Sequence, residues 1–327
     1  MKNLITSILI FGAFSIAAFG QSDADKIQIS TGGTFAKPKI FNKDLSKLAI
    51  AQITINYKLT STAKIIGKDK KAGTVAGAKL SAYLETTDGE LTATDFQEIS
   101  NGFYVYFQEK LKANNIQTVD WSVITATDFY NNEKAKEDKK VSRNENVWVT
   151  TNANNGNVLY NGGVAFAFGK MKKASKFCEE IGAPAGFFHL TVDFADLLLD
   201  LEMSSATSSN MFYSTTTKRK KYSWAVNPTM KVESPISLIG QPNFSLFWNE
   251  KTQSDSSILT DGIMGTVKYA DSAVEDSSKL KNSLFAFRKE MQPVVIETTK
   301  AKYKAAAKEA LERYADAFIA KALQMKK

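Results

Sequence analysis

The spacing of apolar residues along this chain predicts an ordered series of strands and helices. Between Leu48 and Leu59, apolar and polar residues alternate from Ile53 onward, which is typical of a long half-buried strand. Residues 68–77 are rich in Lys and Gly and predict a turn, and Ala78 to Thr86 predicts a second strand. The first folded elements are therefore expected to be two strands.

A helix is predicted next, from Asp95 to Leu111, because apolar residues recur there every three or four positions: Phe96, Ile99, Phe103, Tyr106, Phe107 and Leu111. Thr94 and Gln97 have the spacing of a capping box at its start. Gly102 inside this helix costs about 1 kcal/mol relative to Ala, so we expect it to allow close packing on a sheet. Ile116 to Ile124 alternates again and predicts a strand.

Residues 125–163 break this regularity and predict a long extended loop with one short strand. The stretch is first charged and then rich in asparagine, at Asn144, Asn146, Asn152, Asn154, Asn155, Asn157 and Asn161. Loops of this length in compact domains are usually functional or disordered. We therefore predict that the loop contacts a partner through Trp148, Asn152, Asn154 and Asn155.

The second half of the chain alternates between helix and strand patterns. A helix is predicted from Lys170 to Ile181, capped by Gly182, and a β-rich segment from Gly186 to Met203. Further strands are predicted at Met211–Thr216, Tyr222–Val226, Met230–Ile239, Phe244–Asn249 and Ile263–Tyr269. Two helices close the chain, one with Leu280, Leu284, Phe287 and Met291 on one face, and a longer one from Tyr303 to Ala322.

This order of elements predicts an α/β to α+β fold, in which helices pack on a mixed β-sheet and a long amphipathic helix ends the chain. We expect a single domain over residues 44–327, preceded by a polar arm over residues 21–43.

The first 20 residues have the three-part pattern of a signal peptide. Lys2 is followed by an apolar stretch from Leu4 to Phe19, and small residues stand at Ala18 and Gly20. The stretch is shorter than the roughly 20 residues of a spanning helix, and no later segment predicts a transmembrane helix. We therefore expect cleavage after Gly20 and a periplasmic or extracellular location.

Composition narrows the class of protein further. The single cysteine cannot form an internal disulfide, which with export is typical of a bacterial protein with an ordinary apolar core. The net charge of +8 is compatible with an anionic glycan or lipid surface as partner, and export disfavours nucleic acid. Because the lysines are spread along the whole chain, the other interpretation is that the charge serves solubility. The densest basic run is Lys218, Arg219, Lys220 and Lys221. With Trp224 nearby it predicts a basic hairpin tip that contacts an anionic partner, and the other interpretation is a solvated turn.

The candidate catalytic motifs in this sequence lack the residues or the spacing that their chemistry requires. Ser61 and Lys64 match Ser-x-x-Lys, but a strand places them on opposite faces, and no Lys-Thr-Gly follows. One histidine, His189, and one cysteine, Cys178, cannot form a His-rich zinc site, and we expect both to be structural. We expect no catalytic residue and no cofactor.

The acidic residues Asp193, Asp196, Asp200 and Glu202 form the best remaining cluster. On a strand, Asp196, Asp200 and Glu202 share one face, so they are candidate ligands for a metal such as Ca²⁺, or an acid/base pair. The other interpretation is a solvated face opposite the leucines of the same strand.

The order of elements resembles an α/β domain of envelope proteins: that of the curli secretion-channel subunit, of the lipoprotein activators of penicillin-binding proteins, and of the Tol translocation protein. The matching segments are a strand at Leu48–Ile55, a helix at Asp95–Leu111, a strand at Gln117–Val123, the run "CEEIGAPAGFFHLTV" and a helix at Ala305–Leu323. The resemblance implies a non-catalytic role through protein contacts. The chain departs from it in lacking a lipid-acceptor cysteine and in its larger 204–270 region.

Three functional hypotheses follow, and the first two leave the oligomeric state open. The first is a non-enzymatic exported protein that binds another envelope protein. The second is a secreted hydrolase or glycan-binding protein that uses the acidic cluster of residues 193–202. The third is an oligomeric subunit associated with an outer-membrane pore.

The signal-peptide hypothesis predicts a mature chain that begins at Gln21. Gly20→Leu should block cleavage, because signal peptidase reads a small residue at that position, whereas Phe19→Leu should leave it intact. Intact-mass measurement of the exported protein distinguishes the two. A Gly20→Leu protein processed like the wild type would contradict the assignment.

Overall fold

A computed structural model describes residues 22–31, 39–42, 45–69, 74–132, 147–160, 171–209, 214–235, 244–251, 254–276 and 288–326. The predicted signal peptide lies outside these residues. The protein has an α+β fold with mixed sheets and a long C-terminal helix, as the sequence predicts. The α-helices among these residues are α1 (Lys39–Asn42), α2 (Ala93–Ala113), α3 (Trp121–Thr125), α4 (Asp128–Asn132), α5 (Met171–Ile181) and α6 (Lys300–Met325).

The strands fall into a main sheet, a second sheet and a two-stranded ribbon. The main sheet contains β1 (Ile27–Thr31), β2 (Lys47–Lys58), β5 (Gln117–Thr118), β6 (Trp148–Asn152), β7 (Ala185–Asp193), β10 (Lys231–Glu233), β11 (Ser245–Trp248), β12 (Ser254–Leu259) and β13 (Ile263–Met264). The second sheet contains β3 (Thr60–Asp69), β4 (Thr74–Thr86), β14 (Ser272–Glu275), β15 (Arg288–Glu290) and β16 (Val294–Thr298). The ribbon is formed by β8 (Asp196–Ser209) and β9 (Ser214–Asn227).

Two parallel strands, β2 and β7, form the centre of the main sheet. Both are buried along almost their whole length, which is typical of strands covered on both faces. Strand β6 lies antiparallel along the far side of β2, and β11 and β10 follow one another along the far side of β7. Beyond β11 come β12 and then β1 at the edge.

Helices α2 and α6 cover one face of this sheet with aromatic side chains. The ring of Phe107 lies 4.9 Å from that of Phe188, and Phe188 lies 5.3 Å from Phe318, both edge to face. Such contacts add to the free energy gained by burying the rings. The opposite face carries α4 and α5, where Phe129 and Phe177 stack at 4.9 Å.

The second sheet is separate from the main sheet but follows it directly along the chain, which passes from β2 through Leu59 into β3. Strand β4 pairs with β3 on one side and with β16 and β15 on the other. The ribbon packs one side on a small cluster of Ala78, Leu80 and Met291. The ribbon residues that pack there are Leu197, Leu199, Tyr222, Trp224 and Val226.

Several predicted elements are confirmed. The strand predicted at Leu48–Leu59 is β2, and the helices predicted at Asp95–Leu111, Lys170–Ile181 and Tyr303–Ala322 are α2, α5 and α6. Gly182 takes a left-handed conformation, with φ of 60°, at the end of α5.

Other predictions are wrong in ways that the contacts explain. The capping box of α2 is Thr92 with Asp95, two residues before the predicted pair. The strand predicted at Ile116–Ile124 is reduced to the two residues of β5, and its last four residues belong to the short helix α3, in which Trp121 packs its ring against Tyr104 and Tyr130. The predicted arm of residues 21–43 supplies β1 and α1 to the fold.

The loop predicted over residues 125–163 is structured where it is described, as α4, β6 and a 3₁₀ turn at Ala153–Asn155. The helix predicted from Leu280 to Met291 is wrong at its C-terminal end, because Arg288–Glu290 form strand β15. Its residues before 288 lie outside the described part of the structure. The strands β3 and β12 were not predicted as elements of their own.

Gly102 is exposed, and a Cβ atom there would meet nothing within 4 Å, so the predicted packing reason for it is wrong. Gly102→Ala should therefore raise the free energy of unfolding by about 1 kcal/mol, through helix propensity alone. Gly186→Ala is the matched control and should lower it, because its Cβ would lie 2.8 Å from Phe188 Cε2. Urea denaturation measures both, and a destabilised Gly102→Ala protein would contradict this account.

Candidate functional site

Three strand ends of the main sheet bring charged side chains together. Lys58 ends β2, Asp193 ends β7 and Glu233 ends β10. Lys58 Nζ lies 2.6 Å from Asp193 Oδ2 and 2.7 Å from Glu233 Oε1. The Asp193 side chain is only 4% exposed, so its charge depends on these partners.

Two more residues extend this group, which we call the ion-pair cluster: Lys58, Asp193, Asp196, Lys231 and Glu233. Lys231 Nζ lies 3.4 Å from Asp196 Oδ1 and 3.5 Å from Glu233 Oε2. Because Asp196 begins β8, the cluster connects the main sheet to the base of the ribbon.

The bend between β7 and β8 is held by the same carboxylate. Asp193 Oδ1 accepts a hydrogen bond from the Ala195 backbone N–H at 3.2 Å, and Asp193 Oδ2 accepts one from Ser61 Oγ at 3.1 Å. The hydroxyl of Tyr269 donates to the Phe194 carbonyl in the same bend. The direction in which the ribbon leaves the sheet is therefore fixed by buried polar contacts.

The electrostatics of the cluster favour a structural role. Burial alone would lower the pKa of Lys58, but attraction and hydrogen bonds from Asp193 and Glu233 raise it above its ordinary value. The Lys58 ammonium therefore stays protonated and cannot act as a base for Ser61. Ser61 is itself buried, and Lys64 is exposed, as the strand period predicts.

The ribbon is the most extended feature of the described chain. Its strands pair over 14 positions, from Asp196 opposite Asn227 to Ser209 opposite Ser214, which gives a length of about 45 Å. Among the described strands, β8 and β9 pair only with each other. On the side away from the second sheet, Leu198 is 54% exposed.

The predicted basic residues lie in the middle of this ribbon and not at its tip. The backbone register places Lys221 opposite Glu202 and Lys218 opposite Ser205, four pairs before the end. Lys221 Nζ lies 3.7 Å from Glu202 Oε2, with both side chains largely exposed. The side chains of Lys218, Arg219 and Lys220 lie outside the described part of the structure, and Trp224 packs half-buried at the ribbon base.

The acidic residues do not form one group. Asp193 lies at the end of β7 with Lys58, Asp196 pairs with Lys231, and Glu202 pairs with Lys221. Asp200 is exposed on the ribbon. Within the part of the chain that the structure describes, no three His, Cys, Asp or Glu side chains are grouped to hold a metal ion. The metal prediction for Asp196, Asp200 and Glu202 gains no support from this geometry.

The asparagines of the predicted contact loop make internal hydrogen bonds. Asn152 Oδ1 accepts from Thr54 Oγ1 at 2.6 Å, and the Asn154 backbone N–H donates to Asn101 Oδ1 at 2.7 Å. Asn154 and Asn155 have φ of 56° and 50°, a left-handed conformation that asparagine tolerates well. Asn155 is exposed and Trp148 half-buried on the edge strand β6, and a role in partner contact stays a prediction for all four residues.

His189 and Cys178 are buried, as expected of structural residues. Burial lowers the pKa of His189 to about 4 and raises the pKa of the Cys178 thiol to about 12. Both are therefore neutral at pH 7, so Cys178 is a thiol and lacks the thiolate form that a cysteine nucleophile needs.

Sequence reasoning missed Lys58, Lys231 and Glu233. Lys58 and Asp193 are 135 positions apart, so no local spacing indicates that they meet. The sequence signal that could have indicated the ion-pair cluster is Lys58, a lysine at the end of a strand that is otherwise largely apolar and buried.

Comparison with family models, with curated proteins and with solved structures finds no match to this chain. The resemblance to envelope α/β domains therefore stays a prediction based on the order of elements. Among the described helices, none is both long enough and apolar enough to cross a membrane.

The ion-pair cluster predicts a strong dependence of stability on Lys58. Lys58→Met should lower the free energy of unfolding by about 3 kcal/mol, because it removes the nearest cation from the buried Asp193 carboxylate. Lys221→Met, which removes an exposed ion pair, is the control and should change it by less than about 1 kcal/mol.

The single variant Asp193→Asn and the double variant Lys58→Met/Asp193→Asn complete a double-mutant cycle with Lys58→Met. Its loss should be smaller than the sum of the two single losses, by at least about 1 kcal/mol, because the charges are coupled. Urea denaturation measures all of these variants. Additive losses would show that the pair does not act as a unit.

Proposed function

We propose that this protein is a non-enzymatic exported protein, in the bacterial envelope or secreted, that acts by binding another protein through its β8–β9 ribbon. The observation that carries the proposal is the ribbon itself. It is anchored at its base and pairs with no other described strand. The signal-peptide pattern of residues 1–20 supports the export part of the proposal.

The geometry of the ribbon favours recognition by strand pairing or by docking on its outer side. A strand edge presents N–H and C=O groups that an added strand can pair with, and many proteins bind partners in this way. A two-stranded ribbon alone is marginally stable in water, so its packing on Ala78, Leu80 and Met291 matters. A fixed base lowers the entropy that is lost when the ribbon binds.

The interior chemistry favours binding over catalysis. His189 and Cys178 are buried and neutral, and Asp193, Asp196 and Glu202 each lie beside a lysine, while Asp200 is exposed. The rival hydrolase hypothesis needs two carboxylates that share a cleft. Asp193 and Asp196 instead lie in different strands, each beside its own lysine.

A photo-crosslinking residue at position 198 tests this proposal. Leu198 lies on the outer side of the ribbon and is 54% exposed, and Val274 in β14, which is 55% exposed, is the matched control. Each variant is expressed with its leader in a bacterium that carries the gene, and adducts are identified by mass spectrometry. We expect one discrete protein adduct from position 198 and none from position 274.

A variant with a shortened ribbon gives a second test of the proposal. Replacing residues 204–219 by a short turn should remove the adduct at position 198 while the thermal unfolding of the rest of the protein stays cooperative. The absence of an adduct at 198, or equal adducts at 198 and 274, would overturn the proposal.

A further inference from the structure

A cleft lies between helices α4 and α5, on the face of the main sheet away from α2 and α6. Its volume is about 200 Å³, and the side chains that line it are Asp128, Phe129 and Asn132 of α4 and Lys173, Lys176, Phe177 and Glu180 of α5. The two phenylalanine rings are buried and stack with 4.9 Å between their centroids, whereas the polar side chains are exposed. The cleft therefore has an aromatic floor and a polar rim on each side.

Hydrogen bonds to other elements fix both walls of the cleft. On the α4 side, the Asn157 backbone N–H donates to the Tyr130 hydroxyl at 2.9 Å, and the Asn157 side-chain amide donates to the Tyr130 carbonyl at 3.1 Å. On the α5 side, Trp248 Nε1 donates to Ser175 Oγ at 3.3 Å. Because the walls are already held in place, a ligand loses less free energy in ordering them.

The two walls carry charges of opposite sign. Asp128 gives the α4 wall a charge of −1, and no described lysine or arginine forms an ion pair with it. The α5 wall carries two lysines and one glutamate, which sum to +1. Lys176 Nζ and Glu180 Oε1 are 3.6 Å apart in an exposed pair, a kind that contributes little, so a ligand can replace it.

We propose that this cleft binds a free amino acid with an aliphatic side chain. The ammonium group of the ligand pairs with Asp128, and its carboxylate pairs with Lys173 and Lys176. Its side chain packs on the two phenylalanine rings. The inference goes beyond the ribbon contact proposed above and does not depend on it, because the cleft and the ribbon are formed by different elements.

The charges favour a zwitterion over a simple ion. An anion would be attracted by the lysines but repelled by Asp128 and Glu180, and a cation would meet the opposite arrangement. A ligand with one charge of each sign is attracted by both walls when it lies across the cleft. The aromatic floor adds an apolar contact that a zwitterion without a side chain cannot make.

The volume favours a ligand of the size of valine or leucine. An apolar cavity of about 150 Å³ binds benzene, a ligand of about six non-hydrogen atoms. By proportion, a volume of about 200 Å³ holds about eight such atoms. Valine and leucine are of this size, whereas a longer peptide would extend beyond the walls.

Saturation-transfer NMR with L-leucine and the mature protein, residues 21–327, tests the proposal. We expect a Kd of roughly 0.1–1 mM, since a ligand of few atoms makes few contacts. Three analogues each lack one recognised group: isocaproate lacks the ammonium group, isoamylamine lacks the carboxylate, and glycine lacks the side chain. Each should bind at least about ten-fold more weakly than leucine, because one charged or apolar contact is lost.

Variants of the two walls should have reciprocal effects. D128N should bind leucine about ten-fold more weakly, because the ammonium group loses its partner, but it should bind isocaproate no more weakly than the wild type does. K173Q/K176Q should bind leucine about ten-fold more weakly and isoamylamine no more weakly than the wild type does. This reciprocity distinguishes contact with the ligand from a general loss of structure.

The matched controls remove the same charges from exposed side chains that do not line the cleft. They are E179Q, in the same helix α5, and K112Q/K268Q. Both should bind leucine within about two-fold of the wild type, because exposed charges further away are screened. Thermal unfolding followed by circular dichroism checks that each variant is folded.

Three outcomes would overturn the amino-acid proposal. The first is that leucine shows no saturation transfer. The second is that isocaproate or isoamylamine binds as tightly as leucine, which would make the cleft an apolar site only. The third is that D128N loses no more leucine binding than E179Q does. Because the cross-link at Leu198 reports on the ribbon alone, the two proposals can fail independently.

Discussion

The contact between Lys58 and Asp193 is the constraint on which the arrangement of the two sheets and the ribbon depends. A carboxylate that is almost fully buried needs a cation and hydrogen-bond donors, and Lys58, Ser61 and the Ala195 N–H supply them. Strand β2 ends at Lys58 and strand β7 ends at Asp193, so both leave the main sheet at this contact. Strand β2 continues into the second sheet, and β7 continues into the ribbon. The ion pair therefore sets the starting point of both.

The aromatic core explains why β2 and β7 are rigid enough to hold those charges in place. Phe188 contacts Phe107, Phe247 and Phe318, so one residue of β7 joins helices α2 and α6 to the sheet. Gly186 leaves the space in which the rings of Phe188 and Phe247 approach the backbone. Because interiors packed in this way have few voids, the ends of the strands are held in fixed positions.

Sequence reasoning succeeded where local spacing alone determines structure. The apolar periods of α2, α5 and α6 and the alternation in β2 predicted those elements to within a few residues, because each buries a continuous face. It failed at α3, where alternating Val119, Trp121 and Val123 indicated a strand. There the indole of Trp121 packs between Tyr104 and Tyr130, which are distant from one another in sequence, and that contact favours a helical turn. The ion-pair cluster was beyond prediction for the same reason, since its members come from β2, β7, β8 and β10.

The two charged regions of the ribbon differ in a way that bears on function. At its base, two lysines meet three carboxylates at short distances, so the chain itself supplies the balancing charge where the groups are buried. Further along, Lys221 stands opposite Glu202, and this exposed ion pair has 3.7 Å between Nζ and Oε2. Burial makes an unbalanced charge costly, whereas an exposed ion pair contributes little to stability. The buried pairs at the base therefore orient the ribbon, and the exposed pair further along contributes little to its position.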